Sequence, residues 1–286
     1  MTEITATNDY YKIQMTDEDF NRLSTFIYND LGIKMPDVKK VMLQSRLQKR
    51  LSELKMASFK DYIDFVFSRE GQEQEIIKMI DVVTTNKTDF FREPTHFDFL
   101  IETALPQLLD ANPKLSPVRI WSAGCSSGEE PYTLTIVLKE FALKNQGFDF
   151  EIMATDLSTK ILDKAVTAVY GEDRVIGIPL DLKRKYFLKS KDSASKTVRV
   201  IPELRAKVSF RRLNFMDTQY HVDKEFDIVF CRNVLIYFDR ETQQQVINKL
   251  CSKLKPNGFF FLGHSESITN MNVPLRQIKP TIFRKI

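Results

Sequence analysis

The sequence predicts an α/β fold in which an all-helical N-terminal domain precedes a parallel, doubly wound sheet. Residues 12–84 place apolar side chains at helical spacing, and nothing there reads as a strand. Beyond residue 95, short β-rich runs alternate with helical segments, which is the pattern of βαβ units. The polar, proline-containing stretch 85–95 separates the two patterns. We therefore expect a helical domain at 12–84, a junction at 85–95 and an α/β domain at 96–286.

The helical domain opens with a recognisable start signal. Thr16 is followed three residues later by Asp19, close to a capping box, and an amphipathic helix should run from there through Tyr28. Residues 37–55 predict a second helix, because four leucines fall on one of its faces. Further helical stretches span residues 58–69 and 72–83.

The α/β domain is predicted to contain five strands with helices between most of them. The tail should close the sheet with an antiparallel hairpin at 275–286, and residues 171–206 interrupt the alternation as a small inserted β-subdomain. The predicted strands are 118–123, 150–155, 207–212, 226–231 and 258–263, and the clearest helices are 130–144, 158–169 and 240–254.

Composition excludes several classes of protein. With 43% hydrophobic and 28% charged residues, the 286-residue chain is ordinary for a globular protein, and it holds no apolar run near the ~20 residues that span a bilayer. Its first residues lack the features of a signal peptide, so we expect a cytoplasmic protein without membrane insertion. Three distant cysteines predict reduced thiols and no disulfide or metal site. A net charge of +4 without a basic block does not indicate nucleic acid.

The stretch "IWSAGCSSGEEPY", residues 120–132, has two interpretations. Its G-x-S-x-G pattern matches the elbow that presents a nucleophilic serine, here Ser126, and the order of Ser126 and His264 permits a hydrolase triad. The small-residue turn also suits a loop that lets a nucleotide-like ligand approach the backbone. The second interpretation is favoured because Ala123 and Gly124 already turn the chain and "SSGEEP" delays the next helix.

Three segments should meet at the carboxyl ends of the strands, where ligands bind in doubly wound sheets. They are the turn after the first strand, Asp156 at the end of the second, and "CRNVLIYF" after the fourth. An acidic residue in the position of Asp156 suits ribose hydroxyls. Gly124 and Gly128 give G-x-x-x-G rather than a dinucleotide fingerprint, which favours a ligand without pyrophosphate, such as S-adenosylmethionine.

Six motifs then carry a family resemblance over nearly the whole chain. "TTNKTDFFRE", "RIWSAGCSSGEEPYTLTI", "ATDLS", "LNFMD", "FDIVFCRNVLIYF" and "LGHSES" occur in this order. The chain resembles the chemotaxis receptor methyltransferases, the CheR family. The resemblance implies a class I, Rossmann-like methyltransferase domain behind the helical domain, and transfer of a methyl group from S-adenosylmethionine to receptor glutamates.

The resemblance also implies which residues contact the cofactor. The junction would contribute to its site, Asp156 would bind the ribose, and the backbone at Gly124 would lie close to the ligand. Two pairs would flank the adenine and the methionine moiety, Asn214 with Phe215 and Arg232 with Asn233. The full set of implied cofactor residues is Asn86, Thr88, Arg92, Gly124, Glu129, Asp156, Asn214, Phe215, Arg232 and Asn233.

The chemistry needs no protein nucleophile. A glutamate side chain with a reference pKa near 4.3 is already an anion at neutral pH, so no general base is required. We expect Arg92 to steer this carboxylate and Tyr237 to fix one of its oxygens. On helix 37–55, Lys39, Arg46 and Arg50 cluster beside the leucine stripe, and taken alone such charges indicate a solvated helix face. The resemblance implies instead that this basic ridge faces an acidic receptor helix.

Other functions remain as alternatives at this level. A methyltransferase of a small molecule would not explain the helical domain, whereas a different protein substrate would. A serine hydrolase using Ser126 and a non-catalytic binding protein are the other options, and no adenine-methylation motif appears. We expect a monomer, and the sequence leaves open whether residues 171–206 tether a receptor peptide by strand addition.

Overall fold

The computed structural model describes residues 10–114, 117–192 and 194–286, and the chain divides into two compact units. The first unit contains the residues up to Thr85 together with Tyr237–Asp239. The second unit contains Asn86–Ile236 and Arg240–Ile286. Within the described part of the chain, no helix combines the length and the apolarity that a membrane crossing requires.

The first unit is helical, and its opening signal works as predicted. The Thr16 hydroxyl accepts the Asp19 N–H at 3.0 Å while Asp19 Oδ2 accepts the Thr16 N–H at 3.1 Å, which confirms the capping box. The leucine face of the second helix is buried, so packing on that face stabilises the unit. The helices are α1 (Asp17–Leu31), α2 (Lys40–Leu54), α3 (Phe59–Phe67), α4 (Arg69–Gln74) and α5 (Ile76–Val83).

Two of the predicted helices are interrupted. Ser68 leaves the helical conformation (ψ 163°) and its hydroxyl accepts the Gly71 N–H, so it ends α3 and caps α4. The predicted helix 72–83 breaks at Glu75, whose side chain is only 1% exposed and bonds to Arg50. A buried ion pair between distant segments therefore decides where α4 stops, and local periodicity carries no sign of it.

The second unit is built on a seven-stranded sheet whose strands alternate with helices in sequence, which confirms the predicted fold class. Five strands run parallel and the tail adds the expected antiparallel hairpin. The strands are β1 (Val118–Ala123), β2 (Phe150–Asp156), β6 (Val208–Arg212), β7 (Phe226–Cys231), β8 (Leu254–Leu262), β9 (Leu275–Lys279) and β10 (Ile282–Lys285). Their order is β6-β2-β1-β7-β8-β10-β9.

The core of the sheet is rich in buried aromatic side chains. Every residue of β7 is buried, as expected for a central parallel strand covered on both faces. Phe230 and Phe261 stack at 4.2 Å between ring centroids, and the segment 95–111, which the sequence pattern did not predict as helical, packs onto the same cluster. The helices are α6 (Thr95–Phe99), α7 (Leu105–Ala111), α8 (Glu129–Lys144), α9 (Thr159–Thr167) and α12 (Arg240–Cys251), with a π-helical turn at Leu100–Ala104.

The inserted region forms a small antiparallel sheet of three strands, in agreement with the predicted β-subdomain. Its strands are β3 (Val169–Gly171), β4 (Phe187–Lys189) and β5 (Thr197–Val200), in the order β3-β5-β4. Two short helices accompany it, α10 (Leu180–Tyr186) and α11 (Pro202–Arg205). Buried Tyr186 and Val200 pack in one cluster with Tyr132 of α8, so the inserted region is anchored to the rest of the second unit.

Candidate functional site

The carboxyl ends of β1, β2 and β7 meet at one edge of the sheet, because β1 lies between the other two. The turn after β1 is tied directly to β2. Both Gly124 N–H and Cys125 N–H donate to Thr155 O, at 2.7 and 2.9 Å. The loops that follow these strands are therefore held side by side at the edge where such folds bind ligands.

Gly124 is required at this edge by its conformation and its surroundings. Its φ is +84°, a region that favours glycine, and a Cβ there would stand 2.4 Å from Val234 Cγ2. The absence of a side chain lets the turn after β1 lie against the loop after β7.

Asp156 organises the turn around Ser126. Asp156 Oδ2 accepts the Ser126 N–H at 2.8 Å, and Oδ1 accepts the Ser158 N–H at 3.1 Å. The Ser126 hydroxyl donates to Asn86 O at 3.2 Å and the residue is 7% exposed. A buried hydroxyl that donates to a backbone carbonyl is not an activated nucleophile, so the geometry gives no support to the hydrolase interpretation.

Glu129 connects the start of α8 to the junction through Arg174. Glu129 is 1% exposed, and its carboxylate accepts the Ser127 hydroxyl at 2.6 Å and Arg174 Nη2 at 2.8 Å. The same guanidinium pairs with Asp89 at 3.2 Å and donates to Thr88 O. Arg174, from the inserted region, thereby fixes the junction backbone beside Glu129.

A second arginine, Arg232, is buried among carboxylates. Its side chain is 2% exposed, and it pairs with Glu93 Oε2 and with Glu130 Oε2, both at 3.0 Å. Its Nη2 also donates to Arg92 O, and the guanidinium lies over the ring of Phe97. All of these partners are protein groups, so Arg232 holds the junction backbone in place whatever else it contacts.

Glu93 links the junction to two strand-end loops. Its Oε1 accepts Asn233 Nδ2 at 3.3 Å and the His264 N–H at 3.1 Å. Burial alone would raise the pKa of Glu93, but the His264 N–H and Arg232 outweigh burial and hold that pKa below its ordinary value. Glu93 is therefore an ionised carboxylate that accepts hydrogen bonds from several segments at once.

Glu266 fixes the backbone of the loop after β7. This buried carboxylate accepts the N–H groups of Asn233, Leu235 and Gly263 at 2.7–2.9 Å. Asn233 has φ 59°, a conformation that asparagine tolerates better than most residues. Burial raises the pKa of Glu266 despite the three N–H donors. The loop conformation therefore depends on a side chain located in "LGHSES".

Most of the expected cofactor residues take part in separate groups of hydrogen bonds that reach the junction backbone. Arg92 takes part through its carbonyl, while its guanidinium donates to Lys87 O at 3.2 Å. Asn214 and Phe215 follow β6 on the far side of β2, where Leu213 N–H donates to Asp156 O. The groups contain Asn86, Thr88, Glu129, Asp156, Arg232 and Asn233, and Gly124 lies against Val234 beside them.

Tyr237 belongs to the first unit, unlike Arg92. Its carbonyl accepts the Lys34 N–H at 2.9 Å, and the residue is half-buried. The pairing of its hydroxyl with a substrate carboxylate beside Arg92 stays a prediction.

The predicted basic ridge of α2 is largely engaged inside the helical unit. Arg50 is bidentate to Glu75, at 2.7 and 2.6 Å, with its side chain 11% exposed. Arg46 donates to the carbonyls of Val83 and Thr84 at the end of α5. Lys39 reaches Lys34 O at 3.1 Å. Helical spacing predicts that the three side chains share one side of the helix. It does not show that the guanidinium groups of Arg46 and Arg50 bond to other groups of the helical unit.

Four charged residues of the site were not predicted from the sequence. Three of them stand inside quoted motifs, which was the available signal: Glu93, Glu130 and Glu266. Arg174 had no such signal, because it lies outside the motifs and its partners are distant along the chain. All four act by holding backbone or other side chains: Glu93, Glu130, Arg174 and Glu266.

The donor set fits S-adenosylmethionine. Half-buried Asp156 places a carboxylate at the end of β2, where ribose hydroxyls can donate to it. Arg232 pairs with two carboxylates, those of Glu93 and Glu130. This setting suits a ligand that carries an ammonium and a sulfonium.

Comparison with known proteins gives the family. A model described as the CheR methyltransferase, SAM binding domain, matches residues 86–283, and one described as the CheR methyltransferase, all-alpha domain, matches residues 18–84. The chain is 41% identical to a chemotaxis protein methyltransferase of Borreliella burgdorferi, over 96% of each chain. It is 37% identical to chemotaxis protein methyltransferase 2 of Pseudomonas aeruginosa, over 94% of this chain and 93% of that protein.

A third relative carries the same description. The chemotaxis protein methyltransferase of Escherichia coli is 34% identical, over 91% of this chain and 88% of its own. The two domain matches and these relatives confirm the predicted family, enzyme class and cofactor. The chain therefore belongs to the CheR family of S-adenosylmethionine-dependent chemotaxis protein methyltransferases.

Proposed function

We propose that this chain methylates glutamate side chains of chemotaxis receptors, with the cofactor held at the carboxyl edge of β1, β2 and β7. The observation that carries this is that Asp156 holds the turn of Gly124 through the Ser126 N–H, while Val234, next to Asn233, lies against Gly124. We assign the junction 85–95 to the same site. Asp156 would accept the ribose hydroxyls, and Asn214 with Phe215 would flank the base.

The bound cofactor supplies an electrophilic methyl group on a sulfonium. The chain's own task is to hold an ionised glutamate in line with that methyl and to keep water away. Arg92 is suited to steering the carboxylate, because its carbonyl accepts Arg232 Nη2 while its guanidinium makes an exposed bond to Lys87 O. A base is unnecessary since the attacking oxygen is already an anion.

The first experiment measures transfer of a labelled methyl group to receptor-bearing membranes. We expect alkali-labile label on the receptor, as a methyl ester gives. Arg92→Ala should lower kcat by roughly a hundredfold, the usual cost of removing a donor aimed at reacting charge. Arg184→Ala, on the exposed side of α10, is the control and should leave kcat unchanged.

Two results would contradict these assignments. Alkali-stable label would place the methyl on nitrogen or sulfur and would favour a different protein substrate. Near-normal turnover of a folded Arg92→Ala enzyme would remove Arg92 from the reacting centre.

We place receptor docking at the start of α2. Val38 and Val41 are 88% and 75% exposed there, beside Lys39, so the segment offers apolar and positive groups together. An acidic receptor helix would match this surface, with each exposed charge contributing modestly and in a salt-dependent way.

Lys39→Glu should raise the KM for receptor about threefold to fivefold at low salt, as expected for one exposed charge. Cofactor affinity should stay the same. Arg69→Glu, whose side chain is 96% exposed on α4, makes the same charge change as a control. An equal KM for both variants would refute docking at this end of α2.

We also propose that the enzyme works in the cytoplasm as a monomer. Sedimentation of the purified chain tests the oligomeric state, and cell fractionation tests the location. A concentration-independent dimer, or recovery outside the cytoplasmic fraction, would contradict the proposal.

A further inference from the structure

Two histidines meet Glu93, a carboxylate of the junction that also pairs with Arg232 and accepts Asn233 Nδ2. One ligand atom from each of Glu93, His96 and His264 lies within 4.8 Å of the other two. His96 and His264 also line a cavity of about 540 Å³ that runs along Lys279 and Thr281. The cluster is therefore reachable from solvent through that cavity.

Hydrogen bonding fixes the tautomer of His96. Its Nε2 lies 2.8 Å from Thr281 Oγ1, and that hydroxyl donates its own proton to Pro280 O at 2.7 Å. Thr281 Oγ1 must therefore accept, so His96 Nε2 carries the ring proton. The other nitrogen, Nδ1, presents a lone pair.

That lone pair faces a second acceptor. His96 is 1% exposed, and in the described part of the chain its Nδ1 has no hydrogen-bond partner. The nearest carboxylate oxygen is Glu93 Oε2 at 3.5 Å. Two buried acceptors that face each other repel unless a cation stands between them.

We propose that Glu93, His96 and His264 bind a divalent transition-metal ion, with zinc as the best-matched probe. Two imidazoles and one carboxylate form a common three-ligand set that leaves a fourth position open, here toward the cavity. The Thr281 bond to His96 Nε2 supplies the outer hydrogen bond that orients a ligating imidazole.

The local charge also favours a cation despite the nearby guanidinium. Arg232 pairs with both Glu93 and Glu130, and Glu130 accepts hydrogen bonds through both oxygens, from Ser122 and from Arg232. A dication coordinated by Glu93 would stand next to these two carboxylates.

The test is titration of the full-length, chelator-treated protein with zinc chloride, followed by isothermal calorimetry. We expect one ion per chain for the wild type. His264→Ala removes an exposed ligand without touching the core and should weaken binding at least about tenfold. His221→Ala is the matched control, because it removes the third, exposed histidine of the chain and should bind zinc like the wild type.

Cobalt substitution distinguishes this ligand set from the buried thiols. A site made of nitrogen and oxygen should give weak visible bands without the intense near-ultraviolet thiolate band. Absence of stoichiometric zinc binding, equal affinity in His264→Ala and wild type, or a thiolate band would each overturn the proposal.

Discussion

The substitution Arg50→Met tests whether Arg50, whose side chain is 11% exposed, stabilises the helical unit or binds the receptor. The substitution leaves Glu75, whose side chain is 1% exposed, with the Tyr62 hydroxyl at 3.2 Å and the Lys78 ammonium at 3.8 Å. Breaking a buried pair costs about 3–5 kcal/mol, and we expect about 3 kcal/mol because those two groups remain. For a helical unit of this size each kcal/mol lowers Tm by about 4–8 °C, so its Tm should fall by about 12 °C or more.

Thermal unfolding followed by far-ultraviolet circular dichroism measures the loss of helix. Fluorescence of Trp121, the single tryptophan and part of β1, reports on the α/β unit in the same sample. The double variant Arg50→Met/Glu75→Gln should recover at least half of the lost stability, because no uncompensated charge stays buried.

Lys49→Ala removes an exposed pair with Glu53 at 3.9 Å and is the control, with an expected change under about 0.5 kcal/mol. An Arg50→Met protein with wild-type Tm and a raised receptor KM would refute the structural role of Arg50.

Three further predictions concern the α/β unit. Arg174→Ala should weaken S-adenosylmethionine binding by about tenfold in calorimetry, since the junction loses its tie to α8, whereas Arg184→Ala should not; equal affinities would contradict this. Gly124→Ala should lower the free energy of unfolding by about 2–4 kcal/mol in urea titration, and Gly147→Ala, with the same φ in open space, by about 1–2 kcal/mol; equal losses would exclude the clash with the neighbouring valine. Burial raises the pKa of all three thiols, so iodoacetamide at pH 8 should leave the native protein unlabelled by mass spectrometry and should label it three times in denaturant; rapid native labelling would contradict the burial of Cys125, Cys231 and Cys251.

The strands of the sheet were the most predictable part of the fold. The strands β1 and β7 begin and end where the apolar runs do, because both faces of a central parallel strand are covered. The strand β8 starts earlier than expected, at Leu254, because that residue pairs with Phe226. Helix ends were less predictable, since Ser68 and Glu75 stop helices through bonds that periodicity does not describe.

Position along the chain could indicate the site only where a residue ends a strand. Gly124 and Asp156 were predicted in this way, because strand ends in a doubly wound sheet converge. The carboxylates around Arg232 were not, because Glu93 and Glu130 reach it from other elements. The basic ridge of α2 was a different case. The spacing of Arg46 and Arg50 indicates on which side of the helix they lie, but it does not indicate their hydrogen-bond partners.

The membership of Tyr237–Asp239 in the helical unit makes the two units topologically interleaved. The polypeptide passes from one unit to the other after Thr85, returns after Ile236 and leaves again after Asp239. A truncation at Thr85 would strip buried Phe238 of the unit it packs in and would leave an apolar side chain in water. Gene fusion or recombination at that single boundary would therefore exchange an incomplete module, and a functional chimera of this enzyme has to carry both segments from the same parent.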